Sequence, residues 1–184
     1  MKMKLGSIIL YKNIPEFLSR VQRIVLNTIY SHLSIYIGKN DIGRHNEFEA
    51  NIQVDQTTFG YNPKHQDIYE LIDVPDEIIA KALNKLIDVS EEKIYGFGSW
   101  LIIFIRRCFE WLGFDAKGWK IWKIHGYHCT EIAWYYFNFI YEDWHGLGWD
   151  KFIWELNRIN PDTFNPKDVE NLVNEFNNII FRKV

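Results

Sequence analysis

The feature that most constrains this chain is an amphipathic stretch that is opened by Tyr127-His128-Cys129-Thr130-Glu131 and runs to about Asp143. Apolar side chains recur three, four, seven, eight and eleven positions after Cys129, which is the spacing of one face of an α-helix. They are Ile132, Ala133, Tyr136, Phe137 and Ile140. We therefore predict a helix whose apolar face lies against a core, with Cys129 at the N-terminal end of that face.

The position of Cys129 at the start of this helix suits a reactive thiol. The helix dipole and the outward-pointing N–H groups of the first turn favour a thiolate over a thiol. The same groups, including the backbone N–H of Cys129, could hold an oxyanion formed by attack on a carbonyl. A buried cysteine also often serves only as a small apolar side chain. The helix alone therefore does not decide between the two interpretations.

The composition indicates one folded domain, residues 1–184, with a sizeable core. Apolar residues make up 47% of the 184 residues, which argues against disorder. The net charge is −3, and Arg106-Arg107 is more typical of a solvated helix face, so no nucleic-acid partner is expected. All eight tryptophans fall between Trp100 and Trp154. This enrichment is typical of an aromatic core and also of a groove for a sugar, peptide or acyl chain.

The two cysteines, Cys108 and Cys129, are too few for a disulfide framework, and no paired-cysteine zinc pattern is present. Cys108 lies in an apolar run and is expected to be an inert core thiol. We predict no cofactor. The N-terminal apolar run Ile8–Tyr11 is too short for a signal peptide or a membrane span, so a cytoplasmic location and no transmembrane segment are expected.

The remaining chain carries alternating strand and helix signals, and we predict an α+β domain. Strands are expected at Leu5–Tyr11, Ser31–Ile37, Glu47–Val54, Ile68–Val74 and Ile179–Val184, and loop at Gln56–His65. Besides the Cys129 helix that ends at about Asp143, helices are expected from Pro75 and at Trp100–Leu112, Lys151–Leu156 and Pro166–Phe176. Phe17–Ile29 suits a helix or an irregular segment. Asn165 is the expected cap of the helix at Pro166.

A thiol nucleophile needs a base, and the base needs a polar group to orient it. His32 stands on the polar face of one predicted strand, and Glu49 stands on the polar face of the next. If these strands pair as a hairpin, the imidazole and the carboxylate become cross-strand neighbours. Glu47 lies on the same face as Glu49 and is an equally placed candidate.

Several short motifs follow one another in a recognisable order. They are Gly6-Ser7-Ile8-Ile9-Leu10, Ser31-His32-Leu33-Ser34-Ile35-Tyr36-Ile37-Gly38, Phe48-Glu49-Ala50, Tyr95-Gly96-Phe97, Tyr127-His128-Cys129-Thr130-Glu131 and Phe164-Asn165-Pro166-Lys167-Asp168. The series resembles the YiiX/YebB-like family of permuted papain-like cysteine hydrolases in the NlpC superfamily. The chain departs from that family at three positions. Ser7 and Thr130 stand where aspartate and serine are usual, and a histidine just before the cysteine, His128, is unusual.

The resemblance implies a circularly permuted papain-like fold, in which an antiparallel sheet packs against helices. It also implies that Cys129 is the nucleophile, His32 the base and Glu49 the residue that orients His32. The backbone N–H of Cys129 would contribute to the oxyanion hole. The second donor stays open, with Tyr11, Tyr36 and Tyr127 as candidates.

The resulting hypothesis is a cysteine hydrolase that acts through a thioester, most consistent with an amidase or peptidase on a peptide or cell-wall amide. An acyl hydrolase or acyltransferase on lipids is the second enzyme hypothesis. The third is an inactive or zinc-binding module, with His32, His125, His128 and Cys129 as potential ligands. The richness in Asn, Ile and Lys suits an AT-rich bacterial or phage genome.

Overall fold

The computed structural model describes residues 3–12, 17–50, 54–90, 109, 112–113 and 129–184 of the chain. Its strands are β1 (Ile8–Lys12), β2 (Tyr30–Lys39), β3 (His45–Ala50), β4 (Val54–Phe59), β5 (Gln66–Leu71) and β6 (Phe181–Lys183). Its helices are α1 (Phe17–Leu26), α2 (Asp76–Ser90), α3 (Cys129–Asp143), α4 (Trp149–Asn157) and α5 (Pro166–Glu175), with a 3₁₀ turn at Pro161–Thr163. The predicted α+β class is confirmed.

The described strands form one antiparallel sheet in the order β4-β3-β2-β1-β5-β6. The short strand β1 lies in the middle, where Ile8, Ile9 and Leu10 are completely buried. A strand that is buried on both faces needs a continuous apolar run rather than alternation, and β1 has one. The longer strand β2 pairs with β1 on one side and β3 on the other, so it brings His32 next to both neighbours.

The apolar stripe of α3 lies in the main core, as its spacing predicts. Its buried members Ile132, Ala133, Tyr136 and Phe137 share a core cluster with side chains of β1, β2 and α2. Farther along, Phe152 of α4 meets the rings of Phe137, Trp149, Phe176 and Phe181 edge-on. These aromatic contacts join α3, α4 and the residue that follows α5 to the final strand β6.

The predicted cap of α5 is present as a reciprocal pair of hydrogen bonds. The side chain of Asn165 accepts a bond from the Lys167 backbone N–H at 3.0 Å. The Asp168 carboxylate accepts one from the backbone N–H of Asn165, also at 3.0 Å. Both bonds satisfy N–H groups that have no partner within the helix, so the start of α5 is firmly defined.

One predicted loop is wrong. The Gln56–His65 stretch was expected to be irregular, but Val54–Phe59 forms β4, which pairs with all of β3. The strand predicted at Glu47–Val54 is correspondingly split, because β3 ends at Ala50. Helix α4 begins at Trp149, two positions before the predicted start at Lys151.

Several predictions fall outside the described residues. These are the Tyr95-Gly96-Phe97 motif, nearly all of the helix at Trp100–Leu112, Cys108 and four of the tryptophans. Within the part of the chain that is described, no helix combines the length and the apolar character needed to cross a membrane.

Candidate active site

His32 and Glu49 form a close pair across strands β2 and β3. Glu49 lies directly opposite Ser34, and His32 precedes Ser34 by two residues, so the histidine is its diagonal neighbour on the same face. The Nε2 atom of His32 lies 2.6 Å from Oε2 of Glu49. The other carboxylate oxygen of Glu49 accepts a hydrogen bond from the Thr57 hydroxyl at 3.1 Å. Glu49 is thus held at both oxygens and fixes the imidazole ring.

Cys129 is buried at the N-terminal end of α3, where the sequence predicts it. The next residue, Thr130, donates a hydrogen bond from its hydroxyl to the carbonyl of Phe164 at 2.5 Å. This bond joins the first turn of α3 to the segment immediately before α5. The position of the Cys129 side chain therefore depends on a contact made by its neighbour.

The structure brings Cys129 to His32, although they are far apart in the chain. The Cys129 side chain is close enough to His32 to raise the pKa of the imidazole through its charge and through hydrogen bonding. Nε2 of His32 is engaged by Glu49, so Nδ1 is the nitrogen that remains for a partner on the other side of the ring. Sulfur, imidazole and carboxylate are therefore neighbours, as an activated thiol requires.

The electrostatics of His32 favour its charged form. Burial lowers the pKa of the imidazole, but the neighbouring Cys129 and Glu49 outweigh that effect and raise the pKa to about 10. At Glu49 burial acts in the other direction and raises the pKa of the carboxyl group. The hydrogen bond and charge of His32, together with the Thr57 hydroxyl, outweigh burial and bring the pKa of Glu49 below its ordinary value. The two neighbours of His32 therefore favour its imidazolium form.

Glu47, the other candidate carboxylate, does not contact the imidazole. It is buried and accepts hydrogen bonds from the hydroxyls of Tyr11, at 2.5 Å, and Ser34. Tyr11 in turn packs against His32, with ring centroids 5.4 Å apart and planes inclined at 49°. The sequence could not separate Glu47 from Glu49, because both alternate onto the same face of β3.

Two residues of this site were not identified as part of it from the sequence. Thr57 was missed because its strand was predicted as loop. Ser34 shares the polar face of β2 with His32, and that alternation is the signal that could have pointed to it.

The oxyanion donors are only partly defined. The first N–H groups of a helix lack acceptors within it, so the backbone N–H of Cys129 suits this role. The Tyr11 hydroxyl donates to Glu47, and the Tyr36 hydroxyl is hydrogen-bonded to Nδ1 of His45 at 3.1 Å. Both are engaged with other side chains. The third candidate, Tyr127, lies outside the described residues.

The zinc alternative receives no support from the described part of the chain. No group of three or more His, Cys, Asp or Glu side chains there is arranged to hold a metal ion. His125 and His128, two of the four potential ligands, lie outside the described residues.

In comparisons with known proteins, no protein-family model and no curated protein matches this chain.

Proposed function

We propose that this protein is a cysteine hydrolase in which Cys129 is the nucleophile, His32 the base and Glu49 the residue that orients His32. The observation that carries the proposal is the position of His32, which is hydrogen-bonded to Glu49 at 2.6 Å and whose pKa is raised by the neighbouring Cys129 at the start of α3. The strand that carries the histidine precedes the helix that carries the cysteine, as in a permuted papain-like domain. The α+β architecture is compatible with that fold.

The reaction begins from the thiolate of Cys129 and the imidazolium of His32. The sulfur attacks the substrate carbonyl carbon, and the electron pair of the C=O bond moves to oxygen, where the backbone N–H of Cys129 stabilises it. The tetrahedral intermediate collapses as the bond to the leaving amine breaks, and His32 protonates that amine. A thioester on Cys129 remains, and His32 is neutral.

Water completes the cycle. Neutral His32 removes a proton from a water molecule, whose oxygen attacks the thioester carbonyl. Collapse of the second intermediate breaks the carbon–sulfur bond and releases the acid product. This step restores the thiolate and the imidazolium. Throughout both halves Glu49 keeps the ring oriented through Nε2, and it stabilises the positive charge on the ring.

The substrate class is proposed to be an amide in a peptide or cell-wall component, as the family resemblance suggests. The chemistry of a thioester enzyme also accommodates an ester substrate. A 4-nitroanilide of a short peptide and 4-nitrophenyl acetate therefore test the two bond types separately. In both cases an acylated Cys129 is the species to detect by mass spectrometry.

The decisive experiment measures the rate of iodoacetamide alkylation at Cys129 as a function of pH. In the wild type we expect fast labelling at about pH 6, where an ordinary thiol with a pKa of about 8.5 is less than about 1% ionised. His32→Ala should reduce that rate about a hundredfold, and Glu49→Gln should reduce it to a smaller extent, because the ring remains but loses its support.

A matched control is available in the same sheet. His45 on β3 packs against Tyr36 with the same centroid separation, 5.4 Å, and inclination, 49°, as the pair of Tyr11 and His32. His45→Ala should leave the Cys129 profile unchanged. If Cys129 labels like an ordinary thiol in the wild type, or if His45→Ala acts as strongly as His32→Ala, the proposed function is wrong.

A further inference from the structure

We propose that Tyr11 is a positioning residue for the catalytic imidazole, and that the buried carboxylate of Glu47 anchors it in that role. The proposal rests on the cysteine hydrolase function proposed above, and it gives a role to two residues that are not members of the triad. In this arrangement two residues hold His32, because Glu49 contacts its Nε2 atom and Tyr11 packs against its ring.

The first support for this assignment is the placement of Tyr11 beside His32. The two residues are direct partners in the β1–β2 pairing, and the register shifts immediately after Tyr11. Their rings are 5.4 Å apart with an inclination of 49°. A ring at this separation restricts rotation of the imidazole, because an alternative rotamer would have to displace it.

The second support is the way in which Tyr11 is held. Its hydroxyl donates to Oε2 of Glu47 at 2.5 Å, and the same oxygen accepts a bond from Ser34. Tyr11 is thus fixed at its far end as well as through its backbone. A phenylalanine would fill similar space, so the hydroxyl and its carboxylate partner define the direction of the ring rather than its volume.

The third support is that the two carboxylates near His32 lie close to the same hydroxyl group. Thr57 donates to Glu49 at 3.1 Å and also lies 3.5 Å from Oε1 of Glu47. The hydroxyl has one proton, which Glu49 receives, so the two glutamates are neighbours at β4, the edge strand of the described sheet, without sharing that bond. The pair of Glu47 and Tyr11 therefore adjoins the pair of Glu49 and His32.

The cost of burying Glu47 points the same way. Burial raises the pKa of its carboxyl group, and burial followed by the charge of Glu47 raises the pKa of the Tyr11 hydroxyl. An apolar pair would avoid both penalties. A buried carboxyl group that is held by two hydroxyls close to the catalytic histidine is easier to account for when it helps to position that histidine.

The test compares the ratio of Cys129 alkylation rates at about pH 6 and about pH 9, because only the lower pH depends on the imidazole. Tyr11→Leu removes the ring, and Glu47→Ala removes the anchor. Each should lower the ratio about tenfold, a typical penalty for a misplaced catalytic group. Tyr11→Phe and Glu47→Gln keep the ring or an acceptor oxygen, and each should therefore lower the ratio by a smaller factor.

Tyr30→Phe is the matched control. Tyr30 is another buried tyrosine of the same sheet, and its hydroxyl donates to the carboxylate of Asp67 at 2.7 Å. This variant loses the same kind of bond and should keep the wild-type ratio. Thermal unfolding of each variant, followed by circular dichroism, reports general loss of structure separately from the ratio.

The outcomes distinguish the two proposals. If the wild type has a high ratio and the folded variants among Tyr11→Phe, Tyr11→Leu and Glu47→Ala all keep it, the positioning role is overturned and the triad stands. The positioning role is also overturned if Tyr30→Phe lowers the ratio as strongly as the variants of Tyr11 and Glu47 do. If the wild type already has the low ratio of His32→Ala, the proposed function itself fails, and the role of Tyr11 fails with it.

Discussion

The site concentrates its charge on one residue, His32, which lies between the sulfur of Cys129 and the carboxylate of Glu49. An isolated buried imidazolium would be unfavourable, because burial penalises the charged form. The Cys129 and Glu49 side chains outweigh this penalty and raise the pKa of the His32 imidazole. The consequence is that the protonation state of His32 should report directly on the presence of each partner.

We therefore predict that His32 titrates with a pKa of about 10 in the wild type and with a lower pKa in Cys129→Ser. Serine keeps a hydroxyl at this position but carries no negative charge near neutral pH, so the imidazolium loses its stronger partner. NMR titration of the ring resonances, assigned with His32→Gln, measures both values. A wild-type pKa near the ordinary value of about 6.5 would contradict the prediction.

At this scale the sequence identifies types of residue better than their partners. Alternation along β2 and β3 places His32, Glu47 and Glu49 on polar faces, but it cannot decide which glutamate meets the imidazole. That choice depends on the register, which opposes Glu49 to Ser34 and leaves Glu47 within reach of Tyr11. Cross-strand register is set by the whole sheet and is not encoded in either strand alone.

At the scale of elements, the starts of α3 and α5 are joined. The hydroxyl of Thr130 in the first turn of α3 donates to the carbonyl of Phe164, and the next residue, Asn165, caps α5. Cys129 thus owes its position to a connection between two helix N-termini. A change in either bond should destabilise the domain, but only one of them directly fixes the turn that carries the sulfur.

We predict that Thr130→Val and Asn165→Ala lower the free energy of unfolding by similar amounts, about 1–2 kcal/mol, through a lost buried hydrogen bond and a lost cap. Only Thr130→Val should also slow alkylation of Cys129 at about pH 6. Urea unfolding measures the first quantity, and mass spectrometry measures the second. Equal alkylation rates in the two variants would show that the Thr130 bond does not position Cys129.

The predictability of each element follows from where its stabilisation originates. Helix α3 was predicted to start within Tyr127–Glu131 and to end at about Asp143, which agrees with Cys129–Asp143, because its apolar stripe is a property of its own sequence. Strand β4 was missed because Val54-Asp55-Gln56-Thr57-Thr58-Phe59 has no clear apolar alternation. It is held by pairing with β3 along its whole length, so its conformation comes from a neighbour rather than from its own pattern.

At the scale of the whole molecule, one backbone position brings the sheet and two helices together. Gly6 lies just before β1, and its carbonyl accepts a hydrogen bond from the Tyr136 hydroxyl of α3 at 3.1 Å. A Cβ atom at Gly6 would lie only 2.1 Å from that hydroxyl oxygen and 2.5 Å from Cγ2 of Ile79 in α2. The two helices thus pack against the entry to the central strand with no room for a side chain.

Gly6→Ala should consequently be among the more damaging small substitutions in the chain. Its φ of +75° is unfavourable for alanine, at about 1–2 kcal/mol, and the two close contacts add about 1–3 kcal/mol of overpacking. Gly43→Ala is the matched control, because its φ is +77° and no atom lies within 4 Å of a Cβ placed there. Urea unfolding should show a loss of about 1–2 kcal/mol for Gly43→Ala and a clearly larger loss for Gly6→Ala. Equal losses would mean that α2 and α3 can move away from β1 at little cost. In that case the packing of α3 against the sheet would not be what holds Cys129 at His32.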